Sequence, residues 1–210
     1  MVSVIRAIEP FRIKYNDVFH LRNLYNMMHE YLLDELWMGF DKPMGGPYPN
    51  LAHWDIEKLY MERHHQKSLH AGGTELWIWW RLRKSPFGKN QGYYDYHLDI
   101  DFHGVYLQKQ EIMHQGKKIK VDQGEIEIRL RPKLVRTEMA EKWQTHWLLK
   151  HFHEMYEQRI ISQDLDKLEK DLWRHVYKLQ GVIKAYLNLR NFIPVPEPIH
   201  PKQFGMEGNF

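Results

Sequence analysis

Hydrophobic and polar positions repeat with two different periods along the chain, and the switches between them mark its elements. Residues 2–14 mix Val2, Val4 and further β-branched and aromatic residues with charges and show no helical period, which predicts a strand; Pro10 places it at an edge or a bulge. Val18, Leu21, Tyr25, Met28, Leu32 and Leu36 then fall at helical spacing, with Asn16 or Asp17 as the expected N-cap and Gly39 as the expected stop. Residues 40–50, with three Pro and two Gly in eleven positions, predict a loop. Residues 56–65, 74–83, 93–102 and 124–132 each alternate with period two, separated by turn signals at 70–73, 85–92 and 114–117. An antiparallel meander of about five to six strands is the economical arrangement.

Helical period returns after the meander. Thr137 is the expected cap of a second helix through Trp143, Trp147, Leu148, Phe152 and Met155, with Glu138 and Glu141 opposing the dipole in its first turn. Ser162 opens a third, in which Ile161, Leu165, Leu168, Leu172, Val176, Leu179, Ile183 and Tyr186 form one apolar seam. These two helices are expected to form a hairpin or one broken rod. Pro194, Pro196, Pro198 and Pro201 then exclude a helix and favour an extended path that carries Phe204 and Phe210. The expected organisation is a single α+β domain over residues 1–190 and a Pro-rich extended arm over 191–210.

Composition narrows the class without naming a role. A 43% hydrophobic, 27% charged chain without Cys is that of an ordinary globular protein and excludes disulfides, thiolate metal sites and Cys nucleophiles. A formal charge of +3 is too small for a chain dedicated to neutralising phosphates, although 14 His would make the surface more cationic in mild acid. Arg6, Glu9, Arg12 and Lys14 interrupt any secretory apolar run, and no segment has the length of a membrane span, so the expectation is a cytoplasmic chain starting at Met1. Glycine-rich phosphate loops and nucleophile elbows are absent.

Four groups of residues carry candidate chemistry. On the strand from Tyr93 to His103, alternation sends Asp95, His97, Asp99, Asp101 and His103 to one face. Neighbours on that face stand about 6.5–7 Å apart, so they can share a divalent metal, or they can be neutralised in a ladder by Arg81, Arg83, Arg129 or Arg131. His64, His65 and His70 with Glu62, and His146, His151, His153 and Glu154, lack the spacing of zinc ligands and read as surface or interface groups. Lys117, Lys118 and Lys120 lead toward Arg129, Arg131, Lys133 and Arg136, while Trp77, Trp79 and Trp80 stand beside Arg81, Arg83 and Lys84, the interleaving of a single-strand nucleic-acid platform. Leu76, Ile78, Trp80 and Leu82 share the presumed core face, which leaves Trp77 and Trp79 outward and in need of cover.

The succession of strand, helix, meander and long C-terminal helix over residues 1–190 resembles the helix-grip folds, in which an antiparallel sheet wraps a long helix. The resemblance implies an apolar cavity, lined here by Trp80, Tyr94, Tyr96 and Phe102. The leading functional expectation is a non-enzymatic, self-assembling structural or interaction protein without cofactor, joined through Trp77, Trp79, the helical seam, the Trp-rich second helix and the arm with Phe204 and Phe210. The alternative is a helix-grip-like binder of an apolar small molecule. A divalent-metal-dependent hydrolase using the Asp/His face is third, and nucleic-acid binding is fourth.

Overall fold

A computed structural model describes residues 4–39, 56–65, 72–87, 92–114, 117–147, 152, 155, 159 and 161–189. Seven antiparallel strands form one sheet: β1 (Val4–Ala7), β2 (Phe11–Phe19), β3 (Met38–Gly39), β4 (Glu57–His65), β5 (Gly73–Lys84), β6 (Tyr94–His114) and β7 (Lys117–Arg136). The helices with both ends among the described residues are α1 (Leu21–Asp34), α2 (Glu138–Thr145) and α3 (Ser162–Tyr186). Both β1 and β2 pair with β7, β7 pairs with β6, β6 with β5, and both β3 and β4 with β5. The expected α+β class with an antiparallel meander, one N-terminal helix and two C-terminal helices is therefore the observed one, with slightly more strands. Among the described residues no helix is long and apolar enough to cross a membrane.

The extra strands come from breaks and extensions that local patterns conceal. The expected strand over 2–14 is two strands, separated at Ile8–Pro10, where Pro10 has no N–H to give a ladder. β2 runs on to Phe19, so Asn16 and Asp17 are strand residues opposite Glu125 and Gly124 rather than helix caps. His20 takes the cap position, its Nδ1 accepting from the Asn23 N–H at 3.2 Å. Nor does α1 reach Gly39: it ends at Asp34, Leu36 adopts a left-handed φ of 61°, and the Trp37 N–H returns to the Leu32 carbonyl at 2.9 Å. Met38 and Gly39 then add to β5. Thr137 precedes α2, but its hydroxyl donates to the carbonyls of Gly92 and Tyr93 instead of capping the helix.

The largest departure is the length of the β6–β7 hairpin, 21 and 20 residues against the shorter strands that the alternation marks. A bulge between Val105 and Gln108 interrupts its register, with Tyr106 at φ 54°. Two glycines make room for this bulge. A Cβ on Gly73 would lie 2.8 Å from the Tyr106 carbonyl carbon, and one on Gly124 would lie 2.9 Å from the Tyr106 oxygen.

One face of the sheet and α3 enclose the core. Leu165, Leu168, Leu172, Val176, Leu179 and Ile183 are buried, so the expected seam is filled within the chain. They meet Leu76, Ile78, Trp80, Leu82, Tyr96, Leu98, Ile100, Phe102 and the inner positions of β7, with Leu24, Met28 and Leu32 of α1 completing the cluster. Three contacts set the course of α3 along β1 and β2. Arg6 pairs with Asp166 at 2.8 Å and with Glu169, Phe11 packs edge-on against Trp173 and Tyr177, and the Tyr186 hydroxyl donates to the His20 carbonyl at 3.1 Å.

Leu172→Ala, in the middle of the seam, is expected to lower unfolding free energy by about 2–5 kcal/mol in urea titration. Gly73→Ala is expected to cost about 1–3 kcal/mol in the same assay, because backbone atoms rather than a flexible side chain oppose its new methyl group.

Candidate functional site

The outer face of the sheet gathers the charged stripe, and the cross-strand register decides what it does. Asp99 lies opposite Arg81 and Arg131, and Asp101 opposite Trp79 and Arg129. Lys133 Nζ reaches Asp99 at 2.7 Å, Arg81 reaches Asp101 at 2.7 Å, and Arg131 also pairs with Asp101. Asp95 accepts from the Ser85 hydroxyl at 2.7 Å. His103 Nε2 stands 3.0 Å from Glu75, which also holds His65 at 3.0 Å, and its ring stacks on Trp77 with centroids 5.3 Å apart. These contacts, above all the hydrogen bond from His103, hold the Glu75 carboxyl below its ordinary range. Glu127, almost fully buried, is held low in the same way, first by Arg129 and then, against the opposing effect of burial, by Arg12.

The stripe is thus an ion-paired ladder, with Lys133 as a rung beyond the expected arginines. Its carboxylates spend oxygens on cations, and among the described residues no three His, Asp or Glu side chains converge as metal ligands do. His97 differs from its neighbours. Burial, only partly opposed by the carboxylates of Asp95 and Asp99, pushes its imidazole down to about 4.

The remaining candidates separate. Trp77 is half-buried under His103, whereas Trp79 stays exposed, with only the Arg81 guanidinium near its ring, 5.6 Å from the centroid. Trp80, Tyr94, Tyr96 and Phe102 are fully buried; Trp80 packs edge-on against Phe102 at 4.9 Å and Tyr25 at 4.8 Å. These rings fill core space. A cavity of about 470 Å³ opens elsewhere, between the start of α1 and strands β4 and β5, and none of the four lines it.

His64 and His65 take opposite partners, Thr74 and Glu75, as strand alternation requires. His146 stacks on Trp147 at 6.5 Å. His70, His151, His153, Glu154, Phe204 and Phe210 lie outside the described residues. Lys118, Lys120 and Arg129 are exposed, but Arg129 is taken by Glu127 and Lys84 is not on that surface at all. Lys84 is buried between Glu35, at 3.5 Å, and His175, at 3.4 Å, with the Trp37 ring 5.9 Å away, and burial lowers its affinity for a proton. The same parity that turns Leu82 and Trp80 inward was the available signal for Lys84.

Several large apolar side chains stand in water, four of them between positions 143 and 155. Trp143 is 42% exposed, Trp147 78%, Phe152 56% and Met155 46%. Trp143 touches the Tyr93 ring edge-on at 5.9 Å.

In comparisons with known proteins the chain matches no protein-family model, no curated protein and no solved structure.

His97 sets an acid limit on stability. Between pH 6.5 and about 4 the unfolded chain takes a proton at this position that the folded chain refuses, so the contribution of His97 to stability falls as pH falls through that window and changes no further below it. With a discount for its partial exposure the loss is about 1–2 kcal/mol. Urea midpoints measured across this range are expected to vary less in His97→Gln than in the unaltered protein.

Proposed function

We propose that the protein is a non-enzymatic structural or interaction protein that self-associates, with Trp143, Trp147, Phe152 and Met155 as contact residues. The exposure of Trp143, Trp147, Phe152 and Met155 within thirteen residues carries this reading. Large apolar side chains held in water are costly, and where they gather they mark contact sites. Trp is also a residue type enriched at the energetic centres of interfaces. A second copy is the occupant that needs no further chemistry, since an apolar stripe placed on a two-fold axis is complementary to itself.

The contact is narrower than the sequence alone suggests. The α3 seam is consumed by the core and Trp77 is half-buried under His103, so of the sheet's outward tryptophans Trp79 alone keeps an exposed ring among the described residues. The ion-paired outer face supports a structural rather than a catalytic role, because its acids and imidazoles serve as partners to one another and to cations.

Light scattering on the full chain at neutral pH is expected to give a multiple of 25.7 kDa, and Trp143→Glu/Trp147→Glu is expected to return the monomer with an unchanged circular dichroism spectrum. A 25.7 kDa particle at every concentration rejects self-association. Deletion of residues 192–210 is expected to lower the assembled mass; an unchanged mass removes the arm from the mechanism.

A further inference from the structure

Three carboxylates from two distant stretches of chain surround the cavity beside α1. Glu57 and Glu62 come from β4 and Asp122 from β7; Leu21, Leu76, Ile78 and Leu107 supply its apolar walls. Leu76 and Ile78 belong to the buried core, so an apolar guest here would extend the core rather than rest on a wet surface. Its volume of about 470 Å³ suits a small organic molecule.

Each carboxylate is positioned by a neutral donor. The Tyr25 hydroxyl donates to Glu57 Oε2 at 2.8 Å, the Tyr60 hydroxyl donates to Glu62, and the Leu21 backbone N–H donates to Asp122 Oδ2 at 3.2 Å. Neutral donors fix the groups without cancelling their charge, and among the described residues each donor engages one oxygen of its carboxylate. Among the described residues Arg22 and Lys109, both exposed at this cavity, form no ion pair with the three, although Lys109 stands opposite Asp122 in the β6–β7 register, and His64 is engaged by Thr74 at 2.9 Å. The resulting field is felt by Tyr60: burial first, then Glu62, Glu57 and Asp122, push its hydroxyl up to about 12. Tyr25 is raised in the same direction by burial and Glu57.

We propose that this cavity binds a small amphiphilic ammonium compound, its cationic head against Glu57, Glu62 and Asp122 and its apolar body on Leu21, Leu76, Ile78 and Leu107. Tyr25 and Tyr60 also line the cavity, and aromatic rings are favourable neighbours for an ammonium head. An anion meets three like charges at the same place. A bare metal ion lacks a converging ligand set among the described residues and leaves the apolar walls unused.

Isothermal titration of the full chain with 4-phenylbutylammonium, 4-phenylbutanol and 4-phenylbutanoate tests the assignment, since the three share a body and differ in head charge. The ammonium is expected to bind at least tenfold more tightly than either of the others. Glu57→Gln keeps an acceptor for Tyr25 while removing charge, and is expected to weaken ammonium binding about tenfold. Glu62→Gln, at an exposed position that the fold does not need, is expected to act in the same direction. Equal binding of the alcohol, preference for the carboxylate, no binding of any probe at millimolar concentration, or ammonium binding indifferent to both substitutions overturns the proposal. Light scattering on the same samples reads self-association separately, so failure of one proposal is not failure of the other.

Discussion

Backbone pairing along the β6–β7 hairpin is the interaction from which the other elements take their positions. β7 offers its second edge to β1 and β2 in turn, and β6 offers its own to β5, which then holds β3 and β4. The inner side chains of the pair, among them Leu98, Ile100, Phe102, Ile128 and Leu130, form the surface on which α3 lies. Contacts remote in sequence therefore dominate, and a hairpin formed first would spare the later strands most of their search. This dependence also explains why β2 overrides a local helix signal at Asn16 and Asp17: the partners Glu125 and Gly124 were already presented.

Where a residue's role follows from its own neighbours along the chain, the sequence was informative. The α3 seam and the alternation in β5 and β6 could be read because a helix stripe or a sheet face repeats within a few residues. The outer ladder could be read in part, since Asp99 and Asp101 on a solvent face require cations, yet Lys133 emerges only once the register is known. The distal hairpin was hidden because Gln108, Lys109, Gln110 and Glu111 are polar on both faces, so no apolar alternation marks the strand. The cavity beside α1 had no local signature: residues 21–25, 57–64, 74–78, 107–109 and 122 meet only in the folded chain.

The two faces of the sheet divide the physical work. On the inner face, apolar burial gives cohesion and admits one buried cation, Lys84, with Glu35 and His175 close by. On the outer face, the paired charges contribute little energy each but oppose misregister, since a slip by one residue would turn Asp99 and Asp101 into the core and Leu98 and Ile100 into water. The exposed Trp143 and Trp147 lie beyond this division, after β7 has ended, where additional contact can form without disturbing either face.

Past the bulge at Tyr106 the hairpin loses its neighbours. Pairing with β5 begins at Thr74 opposite Leu107, and β2 ends opposite Asp122 with Phe19; beyond Val121, which is still buried, the pairs from Glu111–Lys120 to His114–Lys117 are a two-stranded ribbon among the described residues. Such a ribbon gains little from the core and gives little to it. Codons for this stretch are thus free to be gained or lost in matched pairs. The length of the ribbon can drift between lineages, or be set by an engineer adding a tag, while the remainder of the molecule keeps its shape.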